Sequence, residues 1–284
     1  MSSGQINRFS NMDNSTGKNI ILTGPPRSGT TLSCFLLNQL PNTIALHEPM
    51  NLGMFQSQEQ GLEETQQFFA AMRQSLLTEG KALSKVKAGA IPSNPFGKAE
   101  EGKRASLVKK DWIHFEKPLQ EDFTLVIKQN AHFTFLLEPL NLLYPLYTII
   151  RNPVSTIASW NTIQAPVSKG NLTVLKGLRP ALFEALERIP DLLDRQVRLL
   201  HELYLPYLLL RKEQLIRYED IVQSNGAELG KIVPSAANID HPLESKNRNQ
   251  LYDESLRSAI FERLVRFGGC YMDYYHEEQL AQAI

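Results

Sequence analysis

Cysteine is almost missing: the 284 residues contain only two, Cys34 and Cys270. They lie far apart and in no metal-ligand spacing, so neither a disulfide framework nor a zinc site is implied, and both are expected to be buried thiols. Net charge is missing too, with 30 Lys and Arg against 30 Asp and Glu. That excludes a global basic field for nucleic acid, and any anionic ligand must be met by charge concentrated locally. No apolar run approaches the ~20 residues of a membrane span. Residues 1–18 are polar and lack the apolar core of a secretory signal, so a disordered N-terminal tail is expected. A soluble, cytoplasmic protein follows as the default. The remaining length, 19–284, suits one sizeable core and is expected to form a single domain without internal repeats.

What is present begins at Asn19. The apolar run Ile20–Leu22 stops at Gly24, turns through Pro25-Pro26-Arg27-Ser28-Gly29-Thr30-Thr31, and re-enters an apolar stretch with helical spacing, Leu32, Phe35, Leu36 and Leu40. A strand, a glycine-bounded loop and a helix in that order make a phosphate cradle. The N–H groups from Ser28 to Thr31 are expected to face the turn, the helix dipole adds positive character, and Gly29 permits close approach. A nucleotide triphosphatase loop places lysine where Thr30 stands. Arg27 supplies the positive charge here, which suits a compact terminal anion better than a Mg·ATP tail.

Downstream, short apolar runs alternate with helical patterns, which argues an α/β fold of P-loop type: three layers, with a central parallel sheet flanked by helices. The expected strands end in polar tips. Thr43–Leu46 ends at His47-Glu48, Phe123–Ile127 at Lys128, and Leu146–Ile150 at Arg151, where Pro153 starts a helix at its favoured first position. Ligands of such folds sit at the carboxyl ends of strands. A magnesium-dependent P-loop enzyme would want an aspartate there; Lys128 and Arg151 suit metal-free anion binding instead. Helices are expected over 133–143, 180–189, 192–211 and 252–267, and a mobile loop over 164–177. Between them, 81–117 is rich in lysine and is expected to be an insertion outside the core sheet, either a solvated surface or a cover over the sheet edge for an acidic acceptor or carrier. Trp112, Ile113 and Phe115 would anchor it.

The loop Pro26–Thr31 resembles the 5′-phosphosulfate loop of the sulfotransferases, which use 3′-phosphoadenosine 5′-phosphosulfate (PAPS) as donor. Two further segments are similar to that family in the same order. Arg151 with Ser159 matches its 3′-phosphate element, and Arg217-Tyr218-Glu219-Asp220 its Arg-Tyr-Glu-Asp segment, whose tyrosine lies beside the nucleotide. The resemblance implies that Arg27, Ser28, Gly29, Thr30, Thr31, Arg151, Ser159 and Tyr218 bind the donor without a metal. The family's cytosolic members carry a Lys-x-His at the third strand tip, and here Lys128 is followed by Gln129-Asn130. Members with the Pro-Arg-Ser-Gly-Thr-Thr form, such as tyrosylprotein sulfotransferases, have a glutamate at the second tip. Glu48 is therefore the candidate base, with His47 and His132 as competitors, and Lys128 and Arg27 would neutralise the leaving phosphate. The acceptor stays open among small-molecule, carbohydrate, lipid, peptide and carrier-bound hydroxyls or amines, and the chain could pair as a homodimer. An ATP-dependent phosphotransferase and a non-catalytic nucleotide-binding protein are the alternatives.

Overall fold

Residues 17–284 are described by the structure, a computed structural model; the expected tail lies outside them except for its last two residues. The first half of the chain alternates strand and helix as β1 (Asn19–Thr23), α1 (Thr30–Leu37), β2 (Thr43–His47) and α2 (Gln58–Glu79). The lysine-rich segment follows as four strands, β3 (Lys81–Val86), β4 (Phe96–Glu100), β5 (Lys103–Ser106) and β6 (Lys109–His114). The main sheet resumes with β7 (Thr124–Lys128), α3 (Asn130–Phe135), α4 (Leu137–Leu143), β8 (Leu146–Ile150) and α5 (Pro153–Trp160). Then come α6 (Leu175–Leu178), α7 (Pro180–Glu187), α8 (Leu192–Tyr204), β9 (Leu215–Arg217), α9 (Tyr218–Gln223), α10 (Glu254–Phe267) and α11 (Glu277–Ala281).

The central sheet has the order β2-β7-β1-β8-β9 with every pair parallel. Alternate side chains of one strand enter opposite layers. Ile20 and Leu22 pack with Cys34, Leu36 and Leu37 of α1 on one face, while Ile21 joins Leu125, Ile127, Trp160 and Leu200 on the other. Both faces are thus covered, as the near-continuous apolar strands require. The five strand tips lie along one edge, and the loops between β1 and α1 and after β2, β7 and β8 meet there.

Several expectations need correction. The helix expected over 133–143 breaks at Leu136, because Pro139 cannot donate to the carbonyl four residues back. The helix expected to reach residue 211 ends at Tyr204, and Pro206 lies in a 3-10 turn whose Leu205, Leu208 and Leu209 are exposed rather than core. Segment 164–177 is a packed structure: a 3-10 turn at Pro166–Lys169 and the short α6 bury Val167, Leu172, Val174 and Leu175. The insertion lies outside the main sheet, as two antiparallel pairs, β3-β6 and β4-β5. Ile113 is buried and Phe115 packs against the core, but Trp112 is 49 % exposed and meets Lys81 instead of anchoring anything. Cys34 is buried, with its thiol pushed up to about 12 by burial; Cys270 is only half-buried.

Candidate active site

The loop after β1 is shaped by backbone contacts that only particular residues permit. Gly24 has φ +154°, and a Cβ there would meet the Ile149 carbonyl at 2.3 Å; Gly29 has φ +102°, and a Cβ there would meet the Tyr218 ring at 2.7 Å. The loop's carbonyls are tied down from behind. Trp160 donates its indole N–H to the Pro26 carbonyl at 2.7 Å, and Arg151 donates to the Arg27 carbonyl at 3.1 Å. Carbonyls held outward leave the first-turn N–H groups of α1, which have no partner within the helix, to face the cavity. Ser28 is the exception, since its N–H donates to the Pro25 carbonyl at 3.1 Å. Its buried hydroxyl has no hydrogen-bond partner. Thr30 donates its hydroxyl to the Asn130 side chain at 2.9 Å, joining α1 to the start of α3.

One cavity of about 860 Å³ runs along the strand tips and touches the loop, Glu48, Lys128, Arg151 and Tyr218. That is within the usual range for a small-ligand site. At one end Glu48 lies between two lysines. Lys128, 1 % exposed, donates to Oε1 at 2.6 Å, and Lys85 of β3 donates to Oε2 at 2.6 Å. Burial alone would raise the Glu48 pKa, but Lys128, with His47 and Lys85, holds it well below the usual carboxylate value. Glu48 also has φ +43°, as Arg27 has φ +74°, so two side chains that face the cavity leave the backbone from its left-handed region. Lys85 was not anticipated. In β3, Ala82, Ser84 and Val86 are buried while Lys81, Leu83 and Lys85 are less so.

At the other end three arginines converge. Arg27 donates to Ser159 Oγ at 3.1 Å and lies 4.6 Å from the centre of the Phe96 ring. Arg151 donates to Asn247 Oδ1 at 2.7 Å and to the Lys246 carbonyl at 2.6 Å, with the Tyr218 ring 4.8 Å from its guanidinium. Arg104, brought in by β5, is 7 % exposed and donates to Thr162 Oγ1 at 2.6 Å, yet its buried Nε has no partner. Burial lowers Arg27 to about 10, with Arg104 and Arg151 adding to the shift. None of the three forms an ion pair with a carboxylate among the described residues. Ser159 thus bonds directly to Arg27 rather than to Arg151, and Tyr252, which also lines the cavity, lies close enough to Arg151 and Arg27 to feel their charge. Burial opposes ionisation of Tyr252, but Arg151, Ser159 and Arg27 outweigh it and lower its pKa. The same cations favour negative charge at this end of the cavity.

Tyr218 and Glu219 support this end. The Tyr218 hydroxyl accepts from the Lys246 N–H at 3.0 Å, and its ring lies between Gly29 and Arg151. Glu219 accepts from Asn247 at 2.7 Å and from Tyr275 at 2.8 Å, which orients the Asn247 side chain toward Arg151. Chemically, the site offers two anion positions separated by the loop, and a carboxylate beside the first.

Three solved sulfotransferase domains are similar to this chain. One, from the curacin biosynthetic pathway, is 17 % identical over 84 % of this chain and 79 % of its own, with a TM-score of 0.39. One from the Synechococcus olefin synthase is 13 % identical over 96 % and 88 %, also at 0.39. A sulfotransferase from Mycobacterium tuberculosis is 15 % identical over 88 % and 77 %, at 0.36. No family model and no curated protein matches the chain. At these values the activity has to be argued from the chain's own side chains.

The two histidines beside Glu48 give a pH prediction. Burial, aided by Lys128, lowers His47 to about 3, and burial, aided by Lys85 and Lys128 against the pull of Glu48, lowers His132 to about 4. Both folded values lie below the ordinary 6.5, so the stability these neutral rings contribute is present above pH 6.5. It is lost as pH falls toward 4 and then 3. Urea midpoints should therefore decline steadily from pH 7 through 6 to 5. A midpoint unchanged down to pH 5 would mean that the rings accept protons in the folded state.

Proposed function

We propose that the protein transfers a sulfuryl group from PAPS to an acceptor hydroxyl or amine. The observation that carries this reading is a glycine-bounded loop with Thr30 in the lysine position, on the same cavity as the strand-tip Lys128, which is bonded to Glu48 and would supply the missing cation. The charge set fits the donor. Buried Arg104 and Arg151 and half-buried Arg27, none with a carboxylate partner among the described residues, and an unsatisfied Ser28 hydroxyl call for a ligand with more than one anionic group. The 5′ end would be held by the N–H groups of Gly29, Thr30 and Thr31 with Lys128, and the 3′-phosphate by Arg151, Ser159 and Tyr252, with Arg27 between them. When bound, PAPS supplies an activated sulfuryl group attached to a phosphate leaving group.

The chain's own part is positioning and electrostatics. Lys128 is bonded to Glu48 and lines the same cavity as the loop, so an anion in the loop would compete for its charge and loosen its hold on Glu48. The carboxylate then becomes a stronger base for an acceptor proton, while Lys85 keeps it in place. Tyr218 and Glu219 act one step back, by fixing Arg151 and the segment around Asn247.

The test is binding. By titration calorimetry 3′-phosphoadenosine 5′-phosphate should bind without magnesium and more tightly than ADP. Arg151→Ala should weaken it roughly 10–100-fold, the range for one or two charge-assisted bonds, with a smaller loss for ADP, since Arg151 also steadies the Arg27 carbonyl. Tight binding of Mg·ATP with no preference for the 3′-phosphate would replace this reading with a phosphotransferase.

A further inference from the structure

Arg104 stands apart from the other cations of the site, because it is delivered by β5 of the insertion and not by the loop or the strand tips. Its main chain is fastened to the residues after α5. The Arg104 N–H donates to the Thr162 carbonyl at 2.8 Å, and the Gln164 N–H donates to the Arg104 carbonyl at 3.1 Å. The side chain is 7 % exposed and lines the cavity. Its Nη2 donates to Thr162 Oγ1 at 2.6 Å, while its buried Nε has no partner. A guanidinium held out of water without a counter-ion is costly, and an arriving anion removes that cost. From Arg104 the lining follows segment 164–177 through Val167, Leu172 and Val174. The end of that segment packs against Phe55, since a Cβ on Gly177 would meet the Phe55 carbonyl at 2.4 Å. The Phe55 ring in turn lies 4.7 Å from that of His132, which feels the charge of Glu48. One continuous wall thus joins the unpaired cation to the proposed base.

We propose that Arg104 binds a carboxylate of the acceptor, which is then an elongated hydroxy acid with its hydroxyl at Glu48 and its charge at Arg104. The inference rests on the sulfuryl-transfer reading and specifies its acceptor. In that reading the donor's anions are met by the loop with Lys128 and by Arg151 with Ser159, and Arg27 lies between them. Arg104 hydrogen-bonds to none of these, its bonds going to Thr162 and Gln164. A single cation left over suits a monoanion, and the planar fork of a guanidinium matches the two oxygens of a carboxylate. Burial and then Arg104 lower the Arg27 pKa, so an anion settled on Arg104 also eases the crowding of positive charge beside the loop. In the reaction the acceptor oxygen forms a bond to sulfur, the bond from sulfur to the 5′-phosphate oxygen breaks, and the hydroxyl proton passes to Glu48. The carboxylate takes no part in the bond changes. The products are a sulfate monoester that keeps its carboxylate and 3′-phosphoadenosine 5′-phosphate.

The experiment is calorimetry on the protein saturated with 3′-phosphoadenosine 5′-phosphate, so that the donor's anion positions are filled. The probes are 6-hydroxyhexanoate, 8-hydroxyoctanoate and 10-hydroxydecanoate, each beside its uncharged amide. Nucleotide affinity is measured separately on every protein. At the best chain length the acid should bind roughly 10–100-fold more tightly than its amide, the range for one charge-assisted contact. In Arg104→Met that preference should vanish, while nucleotide affinity falls by a distinctly smaller factor. The main-chain bonds to Thr162 and Gln164 do not need the side chain, so the variant should fold, and its nucleotide binding verifies this. Arg104→Lys restores the charge and should restore part of the preference, which a purely structural role would not do. If the nucleotide binds but no acid binds the parent protein, or the amide binds as well as the acid, the anionic acceptor is wrong and the sulfuryl-transfer reading survives. The same holds if Arg104→Met keeps the preference. Equal losses for acid and nucleotide would assign Arg104 to the donor and likewise overturn the proposal. If the nucleotide does not bind the parent protein, both readings fall.

Discussion

Glu48→Gln is expected to lower turnover by roughly 10²–10⁴-fold, the usual loss when a general base is removed, while 3′-phosphoadenosine 5′-phosphate binds almost as it does to the parent protein. Glutamine keeps the length of the side chain and its one amide oxygen can still accept from buried Lys128, while Lys85, 36 % exposed, can turn to water, so the cavity should keep its shape. What it loses is the ability to take a proton. The carboxylate stands between two lysines that hold its pKa well below the usual value, which would make it a feeble base if nothing drew those charges away. The rate at saturating donor should therefore fall at acid pH with an apparent pKa higher than that of Glu48 in the free protein. Parallel measurement of nucleotide affinity separates chemistry from folding. A variant that binds the nucleotide and turns over at the parent rate would pass the role to His47 or His132.

Lys128→Met is expected to be nearly as damaging, and for two separable reasons. The ammonium is 1 % exposed and lines the same cavity as the loop, where it would stand in for the missing lysine. Its loss should reduce turnover by about 10²–10³-fold, comparable with removing one preorganised electrostatic donor. It also leaves Glu48 with Lys85 alone. Removing one member of a buried ion pair costs about 3–5 kcal/mol, and the remaining lysine should hold the loss to about the lower figure. The pH dependence identifies the cause. The folded-state pKa of Glu48 is depressed, so the stability it contributes is present above its ordinary value of 4.5 and is lost as pH falls through the folded value. In Lys128→Met that pKa should rise, and the part of the acid-side loss of stability due to Glu48 should shrink. An acid limb identical in both proteins would mean that Lys128 is not what keeps Glu48 ionised.

The parts of the site that could be read from the sequence are those carried by strand ends. Gly24 and Gly29 frame the loop, His47-Glu48, Lys128 and Arg151 terminate strands, and Pro153 begins a helix, each because local backbone rules fix where such residues can stand. Lys85 and Arg104 could not be read in this way. A cation inside a lysine-rich run has the same local pattern whether it faces water or folds back on a carboxylate, and only the pairing of β3 with β6 and of β4 with β5 decides which. Tyr252 was hidden for a similar reason. It lies just before α10, far along the chain from Arg151 and Arg27, and nothing near it in sequence marks it as their neighbour. The expected helix ends failed where Pro139 and Pro206 interrupt apolar patterns that otherwise look continuous.

The left-handed backbone at Arg27 and Glu48 has a consequence for how this protein can change. A non-glycine residue in that region costs of order 1–3 kcal/mol, and glycine, or to a lesser degree asparagine, relieves it. Selection for heat tolerance alone would therefore favour Arg27→Gly, whereas selection for turnover would keep a guanidinium there; at Glu48 the relief is outweighed by the roughly 3–5 kcal/mol lost when buried Lys128 is left without its partner. The chain is thus held between two opposing optima at Arg27, and thermostable descendants that stay active must gain their stability elsewhere, in the packed layers away from the strand tips.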